Sequence, residues 1–195
     1  HIPFTCCDLD VTTQQRKTGQ SLEDAARSLR YACFAQAIPW DAKIATAHNA
    51  DDNAETVLLH LVRGTGLDGL TGIPPVRGIL IRPLLGVPRI DIEVYLAQEN
   101  IPHVEDSSNQ DTKFARNRIR QAILPVMKDL NPAFVSTLSA NLVHLREDRE
   151  LLHDMAESVT CEALVEDGKV SIQAASLADL PHPIAARAVK QLLAK

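Results

Sequence analysis

The residues best suited to chemistry are densest at positions 48–56, which read HNADDNAET. Asp52 and Glu55 are three residues apart and Asp51 and Glu55 are four apart, so on a helix these carboxylates share a face. Two carboxylates beside a histidine could hold a magnesium ion, bind an amine, or act as acid and base. The alternative is that the acidic residues only stabilise a helix N-terminus, where the helix dipole favours negative charge.

A basic cluster follows at positions 105–120, which read EDSSNQDTKFARNRIR. Its cations fall within eight residues, at Lys113, Arg116, Arg118 and Arg120. On a helix, Arg116 and Arg120 share one face, and such paired guanidinium groups suit phosphate or carboxylate ligands. The alternative is a charged face that contacts only solvent.

A glycine-rich segment separates the two clusters, at positions 63–75, and reads RGTGLDGLTGIPP. Its glycines are Gly64, Gly66, Gly69 and Gly72. Because glycine lets the backbone approach a ligand closely, the segment could contact a phosphate. Taken alone, such a segment is more often an ordinary loop.

Hydrophobic patterning predicts the elements that carry these residues. We predict strands at residues 4–13, 43–48 and 78–85, and helices from Ser21 to before Pro39, at residues 51–63 and at residues 91–100. Strands that alternate with helices are typical of an α/β domain with a largely parallel sheet, in which ligands bind at the carboxyl ends of the strands. His48 and the acidic residues after it lie at such an end.

The C-terminal part of the chain has a different pattern. Apolar residues recur at intervals of three, four or seven over residues 132–167, which predicts one long amphipathic helix or two consecutive ones. A short strand at KVSIQ, residues 169–173, and a helix at residues 183–195 follow. We place a domain boundary near residues 129–132, so that residues 1–129 form the catalytic domain and residues 130–195 form a mainly helical one.

Composition limits the class of protein. The chain has 195 residues, of which 45% are hydrophobic and 23% charged, as in a soluble globular protein. No segment approaches the roughly 20 apolar residues of a membrane span, and the first residues lack the pattern of a secretory signal. The four cysteines form no C-x-x-C pair. We therefore expect a cytoplasmic protein with reduced thiols and without a zinc site.

Four segments carry a family resemblance. They are EDAARSLRY at 23–31, AHNADDNAETVLLHLVRGTGLDGLTGIPP at 47–75, IRPLL at 81–85 and EDSSNQDTKFARNRIRQAILP at 105–125. In this order and spacing they resemble the tRNA(Ile)-lysidine synthetases, members of the PP-loop ATP pyrophosphatase group. The resemblance implies a Rossmann-like parallel sheet of the adenine nucleotide alpha hydrolase type, followed by a helical domain that helps to hold tRNA.

The resemblance also implies a reaction. ATP, as its Mg2+ complex, adenylates the wobble cytidine of an isoleucine tRNA and releases pyrophosphate. The amine of free lysine then displaces AMP, which gives the modified base lysidine. The implied partners are therefore isoleucine tRNA and free lysine, without a membrane, and a homodimer stays open.

The family's site residues carry over by position. Its acidic pair corresponds to Asp52 and Glu55, and its catalytic arginine to Arg116. The resemblance implies ATP-binding residues at Arg27 (with Arg30 as the alternative), His48, Arg63, Gly64 and Gly66. It implies tRNA-binding residues at Lys113, Asn117, Arg118 and Arg120, and magnesium ligands at Asp51 and Asp52.

The chain departs from the family pattern at its beginning. Family members have a Ser-Gly-Gly-x-Asp-Ser loop whose backbone amides bind the ATP phosphates, and this sequence has no Gly-Gly pair. We therefore expect a fragment without the first strand, this loop and the helix after it. Such a fragment alone should not bind ATP productively.

Three alternatives stay open. The first is another PP-loop tRNA-modifying enzyme, although thiolation relatives usually have C-x-x-C pairs for an iron–sulfur cluster. The second is a tRNA-binding module without catalysis, which would use the basic cluster and the helical domain. The third is a metal hydrolase at His48, Asp51 and Asp52, which lacks further histidines at ligand spacing.

Overall fold

The computed structural model describes residues 4–37, 39, 41–104, 115–166 and 169–194, and the chain divides into two compact units. The first unit comprises His1–Thr46 and Val76–Arg82, and the second comprises Ala47–Pro75 and Pro83–Lys195. This division does not coincide with the boundary predicted near residues 129–132. A separate helical domain over residues 130–195 therefore stays a prediction.

The strand predicted at residues 4–13 is wrong, because its last residues begin helix α1 (Val11–Thr18). The Asp10 carboxylate accepts the Thr13 N–H at 3.0 Å and the Thr13 hydroxyl at 2.6 Å. These bonds satisfy a backbone donor of the helix start, and they lower the pKa of Asp10. At the other end, Gly19 caps the helix with a φ of 67°. Together the two caps outweigh the β-propensity of the branched residues between them.

Helix α2 (Leu22–Ala37) confirms the helix predicted from Ser21. The Asp24 N–H donates to Ser21 Oγ at 3.1 Å, and the Ser21 hydroxyl donates to the Asp24 carboxylate at 2.7 Å. The last described residue of the helix is Ala37, and the prediction placed its end before Pro39. Helix α1 packs against α2 in the first unit.

The sheet of the first unit consists, in the described residues, of β1 (Ile44–Ala45), β2 (Val76–Arg77) and β3 (Leu80–Ile81), in the order β1–β3–β2. β1 pairs with β3 in parallel, and β2 pairs with β3 antiparallel. The predicted α/β fold is therefore confirmed in a coarse form, as a small sheet in a helix-rich chain. The strands are shorter than predicted at 43–48 and 78–85, and β2 has no counterpart in the prediction.

The second unit is mainly helical, and its helix α3 (Ala50–Arg63) confirms both the helix predicted at 51–63 and its end at Gly64. The other helices of its described residues are α4 (Leu67–Leu70), α5 (Arg89–Gln98), α6 (Ala115–Arg118), a π-helical turn (Ile119–Ile123), α7 (Leu124–Leu130), α8 (Phe134–Thr160), α9 (Ala175–Ala178) and α10 (His182–Leu192). After α8, strands β4 (Leu164–Glu166) and β5 (Lys169–Ser171) pair in an antiparallel manner.

The elements predicted for the C-terminal part are present. The periodic residues 132–167 contain one continuous helix, α8, rather than two. The KVSIQ segment contributes β5, and α10 begins one residue before Pro183. Among the described residues, no helix combines the length and the apolar character that crossing a bilayer requires.

Two apolar clusters stabilise the second unit. One joins α3, the π-helical turn, α7 and α8, through Ala50, Ala54, Leu58, Ile119, Leu124 and Val135. The other joins α8 and α10, through Ala156, Ile184 and Ala188. Alanines in both clusters let the helix backbones approach closely. The first cluster therefore fixes α3 against the segment that carries the arginines of the basic cluster.

The glycine-rich segment folds back onto α3 at Gly72. The buried amide oxygen of Asn53 accepts the Ile73 N–H at 2.7 Å. Gly72 has a φ of 68°, and a Cβ at this position would lie 2.3 Å from Asn53 Oδ1 and 3.1 Å from the Val57 side chain. The position therefore requires glycine both for its backbone conformation and for the close approach of the loop.

Helix α8 also binds the backbone of this loop, through the side chain of Arg146. Arg146 donates from Nε to the Thr71 carbonyl and from Nη2 to the Ile73 carbonyl, each at 3.1 Å. Burial lowers the pKa of Arg146, and the nearby charge of Arg149 adds to this effect. The loop is thus held between α3 and α8 by hydrogen bonds to its backbone.

Replacing Gly72 with alanine is expected to lower the free energy of unfolding by about 3 kcal/mol. A side chain at this positive φ costs about 1–2 kcal/mol, and displacing Asn53 from the Ile73 N–H adds about 1–3 kcal/mol for the unpaired buried group. Urea denaturation measures the loss.

Gly64→Ala is the matched control, because Gly64 also has a positive φ, 76°, while no described atom beyond its chain neighbours lies within 4 Å of the added Cβ. It should lower the free energy of unfolding by only about 1–2 kcal/mol. Equal losses in the two variants would show that the contact with Asn53 contributes nothing to stability.

Candidate active site

The start of α3 fixes the orientation of its acidic residues. Asn49 precedes the helix with an extended backbone, and its side chain accepts the Asp52 N–H at 2.9 Å. In return, Asp52 Oδ2 accepts the Asn49 N–H at 3.0 Å. This capping box satisfies two backbone donors and leaves Asp52 Oδ1 to bind other groups.

Glu55 lies one turn further along α3, and its side chain is only 1% exposed. Arg116 Nε donates to its Oε2 at 2.9 Å. Arg120 donates from Nε to Oε1 at 2.5 Å and from Nη2 to Oε2 at 3.0 Å. An unpaired buried charge would cost several kcal/mol, so this carboxylate requires both arginines.

Asp52 pairs with the same two arginines. Its Oδ1 accepts Nη2 of Arg116 at 3.3 Å and Nη2 of Arg120 at 3.2 Å. We call Asp52, Glu55, Arg116 and Arg120 the acidic–basic network. The network has two charges of each sign, and Arg116, at 36% exposure, is its most accessible member. A ligand can therefore contact Arg116 and the partly exposed Arg120 and Asp52, but it cannot reach Glu55.

The network stabilises the charged form of its inner cation. The hydrogen bonds with Glu55 raise the pKa of Arg120, and the charges of Glu55, Asp52 and Asp51 add to this effect. Together they outweigh burial, which acts in the opposite direction. Arg120 is thus a permanent positive charge fixed beside Arg116.

A π-helical turn follows α6 and connects the segment that carries the arginines to α7. The Leu124 N–H donates to the Ile119 carbonyl, one residue further back than in an α-helix. Pro125 provides a physical reason, because it has no N–H and its ring would clash with the carbonyl four residues earlier. In the widened turn, Ile119 and Leu124 enter the apolar core while both arginines face α3.

Asp51 forms a separate ion pair. Its Oδ1 lies 2.6 Å from Lys128 Nζ on α7, and its Oδ2 accepts the Arg89 N–H at 2.7 Å. Pro88, the residue before α5, makes no side-chain capping bond. The Asp51 carboxylate therefore caps the N-terminus of α5, although it lies 38 residues earlier in the chain. It thereby connects α3 to both α5 and α7.

The predicted magnesium ligands Asp51 and Asp52 have hydrogen-bond partners at all four carboxylate oxygens. Within the described part of the chain, no group of three or more His, Cys, Asp or Glu side chains is arranged to hold a metal ion. Side chains in these positions do not fit a preformed magnesium site, which needs free oxygen ligands. The assignment of magnesium to these residues stays a prediction.

The nucleotide-binding residues predicted in the second unit lie at two different places. His48 directly precedes the capping box. Arg63 is the last residue of α3, with Gly64 and Gly66 just after it, and it lies about 17 Å along the helix axis from Asp52. The structure thus does not bring the glycine turn to the acidic–basic network, and both assignments stay predictions.

The remaining predicted site residues are on α2 and α6. Arg27 is exposed on α2 in the first unit, with its guanidinium 5.5 Å from the centre of the Tyr31 ring. Asn117 and Arg118 lie on α6, next to the network residue Arg116. Lys113 lies outside the described residues. These assignments also stay predictions.

Sequence reasoning missed two residues of this site. Asn49 could have been found, because an Asn three residues before an Asp at a helix start is the pattern of a capping box. Lys128 could not, since it pairs with Asp51 across 77 residues of chain and no local pattern indicates the pair. For the same reason, no local pattern indicates that the acidic and basic clusters bind each other.

Glu55→Gln is expected to lower the free energy of unfolding by about 3 kcal/mol, because it leaves two arginines without their buried carboxylate. Glu93→Gln is the matched control, since it removes an exposed pair with Arg89. The control should lose less than about 0.5 kcal/mol. Urea denaturation of both variants tests this, and similar losses would contradict the structural role given to Glu55.

The chain is similar in sequence to several tRNA(Ile)-lysidine synthases. A tRNA(Ile)-lysidine synthase of Parabacteroides distasonis is 35% identical over 97% of this chain and 44% of its own length. One of Porphyromonas gingivalis is 44% identical over 76% of this chain and 33% of its own length. One of Pseudomonas fluorescens is 38% identical over 80% of this chain and 37% of its own length. The chain thus spans less than half the length of these curated relatives.

A family model described as a PP-loop domain matches residues 2–127, which include the acidic–basic network. The match implies a Rossmann-like fold for this part of the chain, in keeping with its parallel strand pair. Because it covers well over half of the 195 residues, the chain belongs to the PP-loop domain family.

Proposed function

We propose that this protein takes part in forming lysidine on an isoleucine tRNA, with ATP as the activating substrate and free lysine as the nucleophile. The observation that carries the proposal is the acidic–basic network, which lies within the part of the chain that matches the PP-loop family. The relatives named tRNA(Ile)-lysidine synthase support the choice of reaction.

Exposure divides the roles among the network residues. Arg116 is the catalytic residue, because its partly exposed guanidinium can contact the activated base or the phosphate that leaves with AMP. Asp52 is 19% exposed, and its negative charge can attract the lysine ammonium, which would compete with the arginines for Oδ1. Glu55 is a positioning residue, because its enclosed carboxylate contacts only the arginines in the described structure.

The chemistry requires charge stabilisation at two stages. Adenylation turns the cytidine oxygen into part of a good leaving group, and the lysine amine then displaces AMP from the ring carbon. Negative charge grows on phosphate oxygens in both steps, where a preorganised guanidinium stabilises it without reorganisation of solvent. Magnesium bound to ATP would supply further charge neutralisation.

The finer assignments complete the proposal. Residues 1–129 contain the nucleotide site, for which Arg27, His48 and the turn from Arg63 to Gly66 are separate candidate residues. Residues 130–195 form a helical part that holds tRNA, together with Asn117 and Arg118. The cytoplasm is the expected location, since tRNA, ATP and lysine are all available there. A homodimer stays open.

In the complete gene product, replacing Arg116 with alanine should lower kcat/KM for lysidine formation at least about 100-fold, as expected for loss of a charge-stabilising donor. The assay measures transfer of radiolabelled lysine to an isoleucine tRNA transcript in the presence of ATP. Arg116→Lys should recover little activity, because lysine cannot bind Glu55 and a phosphate in the same planar geometry.

Arg89→Ala is the control for loss of an exposed arginine, and it should retain activity within about twofold. Full activity of Arg116→Ala would remove this residue from the mechanism. A wild-type protein that binds the tRNA but neither releases AMP nor incorporates lysine would overturn the proposed function in favour of a binding module.

A further inference from the structure

A second group of charged side chains lies in the second unit, outside the acidic–basic network. It lines a groove of about 440 Å³ between α4, α8 and α10. Its charged residues are Asp68, Arg149, Glu150, Arg187 and Lys190, and we call them the groove residues. None of them is among the site residues predicted from the sequence or placed in the proposed reaction.

The cations of the groove converge on Asp68. Lys190 Nζ lies 3.1 Å from Asp68 Oδ2. This hydrogen bond lowers the pKa of Asp68, and the charges of Lys190, Arg187 and Arg149 lower it further. Three cations from two helices thus act on one carboxylate, so the groove has more positive charge at this point than Asp68 can neutralise.

The other contacts in the groove leave this excess in place. Arg187 Nη1 donates to the Pro183 carbonyl of its own helix at 2.9 Å, and no carboxylate of the described residues forms an ion pair with it. Arg149 pairs with Glu150 only at 3.6 Å. Three cations therefore face two carboxylates in a chain whose formal net charge is −5.

We propose that the groove residues bind a phosphate of the RNA backbone. The inference rests on the proposed function, because it takes tRNA as the polyanion. Two arginines and a lysine are the side chains best suited to phosphate oxygens. The Lys190 and Asp68 side chains are 76% and 65% exposed, so their ion pair adds little stability and can open for a phosphate. Contacts of this kind fix the position of the RNA without reading its sequence.

The test compares two double variants that each remove two cations. Arg187→Ala/Lys190→Ala removes groove residues, and Lys43→Ala/Arg77→Ala removes two exposed cations elsewhere. Filter binding measures the dissociation constant for an isoleucine tRNA transcript between about 50 and 200 mM salt. The groove variant should bind about tenfold more weakly, with a salt slope reduced by about 1 to 2, while the control stays within about twofold of wild type.

Asp68→Asn provides a variant with the opposite expected sign. It removes the carboxylate that competes for Lys190, so it should bind the tRNA about two- to fivefold more tightly. A purely structural role of the Asp68–Lys190 pair predicts weaker binding instead. Thermal unfolding of each variant confirms that it is folded before binding is measured.

The outcomes separate this inference from the proposed function. Wild-type protein that fails to bind the tRNA contradicts both. Wild-type protein that binds it and makes lysidine, while the groove variant binds equally well, overturns the groove inference alone. If the groove variant loses affinity for inorganic phosphate in calorimetry but not for tRNA, the groove is a site for the free ion and the inference is likewise overturned.

Discussion

The enclosed carboxylate of Glu55 is the constraint on which the second unit depends. Water cannot solvate a side chain that is 1% exposed, so its charge must be matched by protein groups. Its partners, Arg116 and Arg120, come from a segment more than 60 residues later in the chain. Helix α3 therefore cannot satisfy its own charge, and only the packed arrangement with α6 and the π-helical turn does so. Buried ion pairs contribute little to net stability, but they tolerate little change in geometry. This fixed geometry suits a residue such as Arg116, which must contact a reacting group at a defined position.

The two ends of one segment bind the same helix. Arg116 and Arg120 pair with Asp52 and Glu55, while Lys128, after the π-helical turn, pairs with Asp51. Between these contacts, Ile119 and Leu124 pack into the apolar cluster with Ala50 and Ala54. Polar and apolar contacts thus alternate along the segment. Together they fix its position along α3. On the opposite side, Arg146 and Asn53 hold the glycine-rich loop through its backbone. Helix α3 is consequently bound on several sides, which suits a helix that presents site residues.

Local signals predicted the helices well and the contacts between them poorly. Helices α2 and α3 were predictable, because caps and apolar spacing lie within a few residues of each other. The same kind of signal explains the error at residues 4–13, where Asp10 and Gly19 cap a helix that branched residues disguise as a strand. The two-residue strand β2 is too short for any periodicity. The acidic and basic clusters were both recognised, but their pairing depends on long-range packing that no single segment encodes. Lys128 shows the limit most clearly, since nothing around it in the sequence distinguishes it from a lysine without an ion-pair partner.

The π-helical turn constrains the number of residues in its segment as well as their types. One extra residue in a helical turn rotates everything that follows by about 100° relative to an unbroken α-helix. The pieces before and after the turn therefore differ in angular phase, and this difference directs cations from both pieces toward α3. A chain one residue shorter between Arg120 and Lys128 would keep every side chain of the site and still aim them in different directions. At this place the number of residues is as strict a requirement as their identity.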